Sequence, residues 1–100
     1  MALEIRKLLT IITEAALETE VIAVLQDRGA HGYTVSDARG SGSRGVRSAS
    51  WAASANVRIE VVCGEPTATM IAEALQQRYY DNYAMILFVT AVEVLRPSKF

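Results

Sequence analysis

Hydrophobic spacing along this chain changes period several times, and each change marks an element. Leu8-Leu9-Thr10-Ile11-Ile12-Thr13 is a short apolar, β-branched run, the pattern of a central strand buried on both faces. Leu17, Val21, Val24 and Leu25 then recur at i, i+4, i+7 and i+8, which is one face of a helix. Glu14, Glu18 and Glu20 near its start and Arg28 at its end complement the helix dipole, and Gly29 supplies the stop. His31–Ser36 alternates and predicts a second strand, and Asn56–Val61 alternates cleanly, with one wet and one dry face. Pro66 suits the first position of a helix whose apolar face is Ala68, Ile71, Ala72, Leu75 and Tyr79. Tyr80–Tyr83 reads as a turn, Met85–Leu95 as a long, very apolar final strand, and Pro97 ends it.

Strand-helix-strand, strand-helix-strand with right-handed crossovers predicts the ferredoxin-like βαββαβ sandwich, an α+β fold with an antiparallel sheet and two helices on one face. The last strand then lies at a sheet edge. An edge this long and apolar is poorly tolerated by an isolated monomer, so burial in a homo-oligomer is expected.

Composition changes this picture only locally. One hundred residues make a single domain, 1–100, and the 51% hydrophobic content with mean hydropathy +0.20 again points to surface buried between subunits. A net charge of −1 gives no reason to expect nucleic acid or an anionic membrane as partner. Cys63 is the single cysteine, which suits a reducing compartment and excludes an intrachain disulfide. There is no signal-peptide pattern, and no segment approaches the roughly 20 apolar residues of a membrane span, so a cytoplasmic protein without membrane insertion is expected.

Catalytic chemistry finds little support. His31 and Cys63 are far apart in sequence and make a poor metal pair or nucleophile–base pair, and no close pair of carboxylates suggests acid–base work. No enzyme and no catalytic cofactor is expected. The βαββαβ order also occurs in RNA-recognition motifs, but those stack bases on aromatics of the third strand, and Asn56–Val62 has none.

What stands out is the stretch from Ala38 to Ser50, a loop between the middle strands that runs to about residue 55. It holds Gly40, Gly42 and Gly45 with Arg39, Arg44 and Arg47, and no acidic residue occurs between Asp37 and Glu60. Glycines let backbone N–H groups approach a ligand, and arginines present forked donors to anionic oxygens, so a phosphate-bearing or carboxylate-like ligand is expected. A solvated, disordered loop is the alternative. Trp51, Ala52 and Ala53 are apolar for an exposed loop and read as a docking surface.

Gly29–Val35, then Gly40-Ser41-Gly42-Ser43-Arg44-Gly45-Val46-Arg47-Ser48, with Tyr80–Ala84 and Ala91–Leu95, resemble the PII-like signalling proteins over most of the chain. The pattern is similar to the SbtB type and to the carboxysome-associated PII protein. The resemblance implies a homotrimer with nucleotide sites in the clefts between subunits and a flexible T-loop, about 39–55, that senses ligand and docks on a target. It implies adenine nucleotides as ligands (AMP or ADP, with cyclic AMP and ATP as further candidates) and a partner in inorganic carbon uptake, a bicarbonate transporter or a carboxysome-related protein. Carried over by position, Gly40, Ser41, Gly42, Ser43, Arg44 and Arg47 would hold the phosphates, and Thr34 would lie near the ribose or base. Tyr83, Ala84 and Met85 of the adjacent subunit would close over the adenine through their backbone. Met85 stands where relatives often have glycine, and the C-terminal cysteine pair of some SbtB-type chains is missing here. Bicarbonate is a further candidate ligand, with Arg47 and Arg58 as its donors. The alternatives are a scaffold subunit of a carboxysome-type assembly without nucleotide sensing, or a metal-tolerance protein of the CutA type, against which the lone His31 and Cys63 argue.

Overall fold

The apolar run around Leu9 lies at the middle of β1 (Glu4–Glu14), the strand on which the sheet is built. The structure, a computed structural model, describes residues 2–42, 45–47 and 56–100. The other elements are α1 (Glu18–Asp27), β2 (Thr34–Ala38), β3 (Gly40–Gly42), β4 (Gly45–Arg47), β5 (Asn56–Cys63), α2 (Glu65–Tyr79) and β6 (Ile86–Val94). The four longer strands form one sheet in the order β2-β5-β1-β6, antiparallel at every pairing, and β3 and β4 form a separate two-stranded ladder. This is the expected ferredoxin-like α+β order, with β6 at one edge.

Register decides which residues share a face. Leu9 pairs with Val61 and Val89, and Ile11 with Ile59 and Leu87, on the side that carries the helices, where Val89 at the β6 edge stays exposed. Leu9, Ile11, Ile59 and Val61 are completely enclosed together with Val21, Leu25, Ile71 and Leu75. Each such side chain contributes about 1.5–3 kcal/mol relative to exposure. The intervening residues, Leu8, Thr10 and Ile12 of β1, pair with Val62, Glu60 and Arg58 of β5 and with Thr90, Phe88 and Ile86 of β6. They line a face that no helix covers. Ile86 and Phe88 are exposed there, while the buried Thr10 hydroxyl has no hydrogen-bond partner among the described residues.

Helix α1 ends as its glycine predicts. Gly29 has φ of 92°, a left-handed conformation open to glycine at little cost. Ala30 N–H donates to the Leu25 carbonyl at 3.0 Å and Gly29 N–H to that of Gln26 at 3.2 Å, the paired bonds of a Schellman cap. Strand ends differ from expectation by one to four residues, with β1 running from Glu4 and β5 on to Cys63. Glu14 has extended backbone angles and closes β1 instead of opening the helix, and Ala15–Leu17 forms a 3₁₀ turn before α1. The second strand begins at Thr34, three residues later than its alternation suggests, because pairing with β5 starts only there. Within the glycine–arginine stretch, Gly40 pairs with Arg47, Ser41 with Val46 and Gly42 with Gly45. Ser43, Arg44 and the docking surface read at Trp51–Ala53 lie outside the described residues.

Candidate functional site

A cleft of about 490 Å³ opens on the helix-free side of the sheet, beside its β2 edge. Strand alternation builds its floor: Thr34 sits opposite Glu60, and Val62 opposite Leu8, all on that one face. His31, Gly32 and Tyr33, which lead into β2, form one wall, and Lys99 with Phe100 forms another. The C-terminal 3₁₀ turn, Pro97–Lys99, is tied in place from two sides. Arg6 donates to the Pro97 carbonyl at 3.4 Å, and His31 Nδ1 lies 3.2 Å from the Lys99 carbonyl. A carbonyl only accepts, so Nδ1 carries the proton in this arrangement.

The cleft is amphipathic, with Leu8, Val62, Tyr33 and Phe100 offering apolar surface and Thr34, Glu60 and Lys99 offering polar groups. That combination suits a flat heteroaromatic group with polar edges. Glu60 also forms an ion pair with Arg58 at 3.3 Å. The pair is partly open to solvent and worth little to stability. Arg58 thus lies on the same helix-free face, between Ser36 and Ile12, with its guanidinium already engaged.

Of the residues singled out from sequence, Thr34 lines the cleft. Gly40 and Arg47 are brought opposite one another in the β3–β4 ladder, which leaves β2 after Arg39, with Ser41 and Gly42 alongside. Tyr83, Ala84 and Met85 lead into β6, at the edge opposite β2. One chain therefore does not bring them to Thr34. Met85 is buried, while Tyr83 is exposed and packs edge-on to Tyr79 with ring centres 5.8 Å apart. Tyr79 in turn donates its hydroxyl to Glu20 at 3.2 Å. Burial, then the bond to Glu20, pushes the Tyr79 hydroxyl pKa up.

Sequence reading missed every other lining residue of the cleft: Leu8, His31, Gly32, Tyr33, Glu60, Val62, Lys99 and Phe100. The alternation of Arg58, Glu60 and Val62 already put them on one face. Cys63 is buried and its thiol is pushed up by desolvation, the reverse of what a nucleophile requires. Among the described residues no group of three His, Cys, Asp or Glu side chains could hold a metal ion, and no helix is long and apolar enough to cross a membrane.

A ferredoxin-like sheet, a cleft on its helix-free side and a glycine–arginine hairpin that follows the edge strand β2 make up a small α+β domain. The chain belongs to the family described as Nitrogen regulatory protein P-II, which it matches over residues 6–99. Among solved structures it is similar to a PII-like signalling protein from Thermus thermophilus, at 41% identity over 100% of this chain and 99% of the other, with TM-score 0.85. It is also similar to CPII, a nitrogen regulatory PII-like protein from Thiomonas intermedia, bound to ADP, AMP and bicarbonate. There the identity is 27%, coverage 99% and 96%, and the TM-score 0.90. CPII bound to ADP and bicarbonate gives 28% identity, coverage of 99% and 97%, and TM-score 0.89.

Proposed function

We propose that this protein is a non-enzymatic PII-like signalling protein that binds an adenine nucleotide in clefts between the subunits of a homotrimer. The observation that carries the reading is the amphipathic cleft at the β2 edge, on the strand that leads into the Gly40–Arg47 hairpin, in a chain similar to one solved with ADP, AMP and bicarbonate. The base packs against Val62 and Leu8, with Thr34 and Glu60 at its polar edge or at the ribose. The Glu60 carboxylate repels phosphates, which therefore extend toward the hairpin, where Gly40, Ser41, Gly42, Ser43, Arg44 and Arg47 hold them. Tyr83, Ala84 and Met85 of the adjacent subunit close the cleft through their backbone. The exposed Ile86 and Phe88 are covered in the assembly.

Binding acts as an ordering switch on the T-loop. Fixing a loop residue costs roughly 1–2 kcal/mol, and a charge-assisted hydrogen bond returns about 1.5–3 kcal/mol, so several contacts are needed per ligand and moderate affinity follows. Bicarbonate is a second ligand, bound by Arg47 and Arg58, and the regulated partner belongs to inorganic carbon uptake, a bicarbonate transporter or a carboxysome-related protein. Titration calorimetry with AMP, ADP, ATP and cyclic AMP, with and without bicarbonate, tests the proposal. Saturable binding well below millimolar is expected for at least one nucleotide, and its absence for all four ends the sensor reading.

A further inference from the structure

One wall of the cleft is held by very few bonds. β6 ends at Val94, and Leu95 beyond it is exposed, so the chain leaves the sheet there. Pro97–Lys99 then coils into a 3₁₀ turn whose shape is set locally. Lys99 N–H donates to the Arg96 carbonyl at 3.0 Å, and Phe100 N–H to that of Pro97 at 3.1 Å. Those bonds shape the turn without fixing where it sits. Two side chains from elsewhere in the chain tie it down, Arg6 on the Pro97 carbonyl at 3.4 Å and His31 on the Lys99 carbonyl at 3.2 Å. Both ties engage main-chain carbonyls, so they act whatever side chains the turn carries.

The two ties are unequal. Arg6 also donates to the Ile5 carbonyl at 2.9 Å and pairs with Glu4 at 3.4 Å, so Pro97 receives one branch of a shared guanidinium. His31 is the tie nearer to Phe100 in the chain, and it starts from fixed backbone. One residue back, Ala30 N–H is bound to the Leu25 carbonyl at 3.0 Å in the cap of α1. His31 is itself exposed, and an exposed hydrogen bond adds little to folding stability. What the bond does fix is the segment that brings Lys99 and Phe100 to the cleft, where Leu8 and Val62 supply the rest of the apolar lining with Tyr33.

We infer that His31 is a positioning residue that holds the C-terminal turn as a wall of the cleft, and so sets the Phe100 ring as a face for the ligand's flat heteroaromatic group. The inference rests on the proposed reading, in which an adenine nucleotide fills this cleft. A ring carried on a turn without the His31 tie would sample many positions, and that freedom would be lost on binding. Holding the ring beforehand removes that cost from the binding step.

The test is titration calorimetry with ADP on the full-length assembled protein. Phe100→Ala is expected to weaken binding about 5-fold or more, as losing an aromatic face against a base does. His31→Leu keeps bulk but has no donor, and should weaken binding about 5-fold with assembly and urea midpoint unchanged. His31→Asn presents an amide N–H near the position of Nδ1 and should restore affinity to within about 2-fold of the unaltered protein. A double variant carrying His31→Leu and Phe100→Ala should bind within about 2-fold of Phe100→Ala, whereas independent contributions would multiply to about 25-fold. Multiplied losses, no rescue by His31→Asn, loss of assembly in His31→Leu, or unchanged affinity in either single variant overturns the inference while the nucleotide site stands. If the unaltered protein binds no adenine nucleotide, the functional reading itself fails, and this inference with it.

Discussion

On the side of the sheet turned to the helices, Leu9, Ile11, Ile59 and Val61 have no exposed surface. On the other side of the sheet the cleft opens beside Thr34 and Glu60, and along the edge strand β6 Ile86 and Phe88 remain 45% and 46% exposed, as does Val89 on the helix side of that edge. Side chains alternate across a sheet, so the register assigns each residue of a strand to one face or the other. The covered side holds the subunit together. The bare side is the one that the proposed reading gives to a second copy and a ligand.

That division can be broken from either side. The largest effect is expected from Ile59→Ala, which opens a cavity in the covered face and should cost about 2–5 kcal/mol of stability by denaturant unfolding. A loss under about 1 kcal/mol would mean that this face is not the main source of stability. Phe88→Asp places a charge on the bare face, where it should leave the circular dichroism of the subunit unchanged but abolish assembly in sedimentation analysis, and nucleotide binding with it. Arg47→Ala should leave the assembly intact and weaken nucleotide binding about 10-fold or more, the worth of one charge-assisted bond. Unchanged affinity would remove Arg47 from the site.

Smaller effects separate the faces further. On the covered side, burial raises the Cys63 thiol above its ordinary value of 9.0. The folded chain keeps the neutral thiol where the unfolded chain ionises, so this contribution is complete below the unfolded value and is lost as pH rises through the folded one. Urea midpoints should therefore decline as pH rises past the unfolded value, and less steeply in Cys63→Ala. On the bare side, Thr10→Val removes a buried hydroxyl without a partner among the described residues and should raise stability by about 1 kcal/mol in the same unfolding assay. A fall instead would show that a second subunit supplies that hydroxyl with a bond.

Much of this fold was legible because its signals are local. The i, i+4, i+7, i+8 spacing of Leu17, Val21, Val24 and Leu25 and the stop at Gly29 identify α1 unaided. Leu17, Val21, Val24 and Leu25 are all buried and Gly29 takes the left-handed φ. Glu14 was misassigned because an acidic residue before an apolar face resembles a helix start, while pairing with Asn56 keeps it in the strand. Thr34 was assigned to the site by resemblance, and the cleft contains it. Glu60 and Val62 were overlooked because they carry no motif of their own.

Strand and helix order, the alternation that gives each strand two unlike faces, and the glycine–arginine composition of residues 38–50 are properties of the sequence alone. They follow from periodicities of 2 and 3.6 and from backbone chemistry that operates within a few residues. Only the tertiary structure decided that Leu8, Thr34, Glu60 and Lys99 share one cleft, that Gly40 faces Arg47, and that Glu14 reaches Ala84. Those neighbours depend on the β2-β5-β1-β6 order and its register, which bring together residues far apart in the chain and which no local pattern encodes.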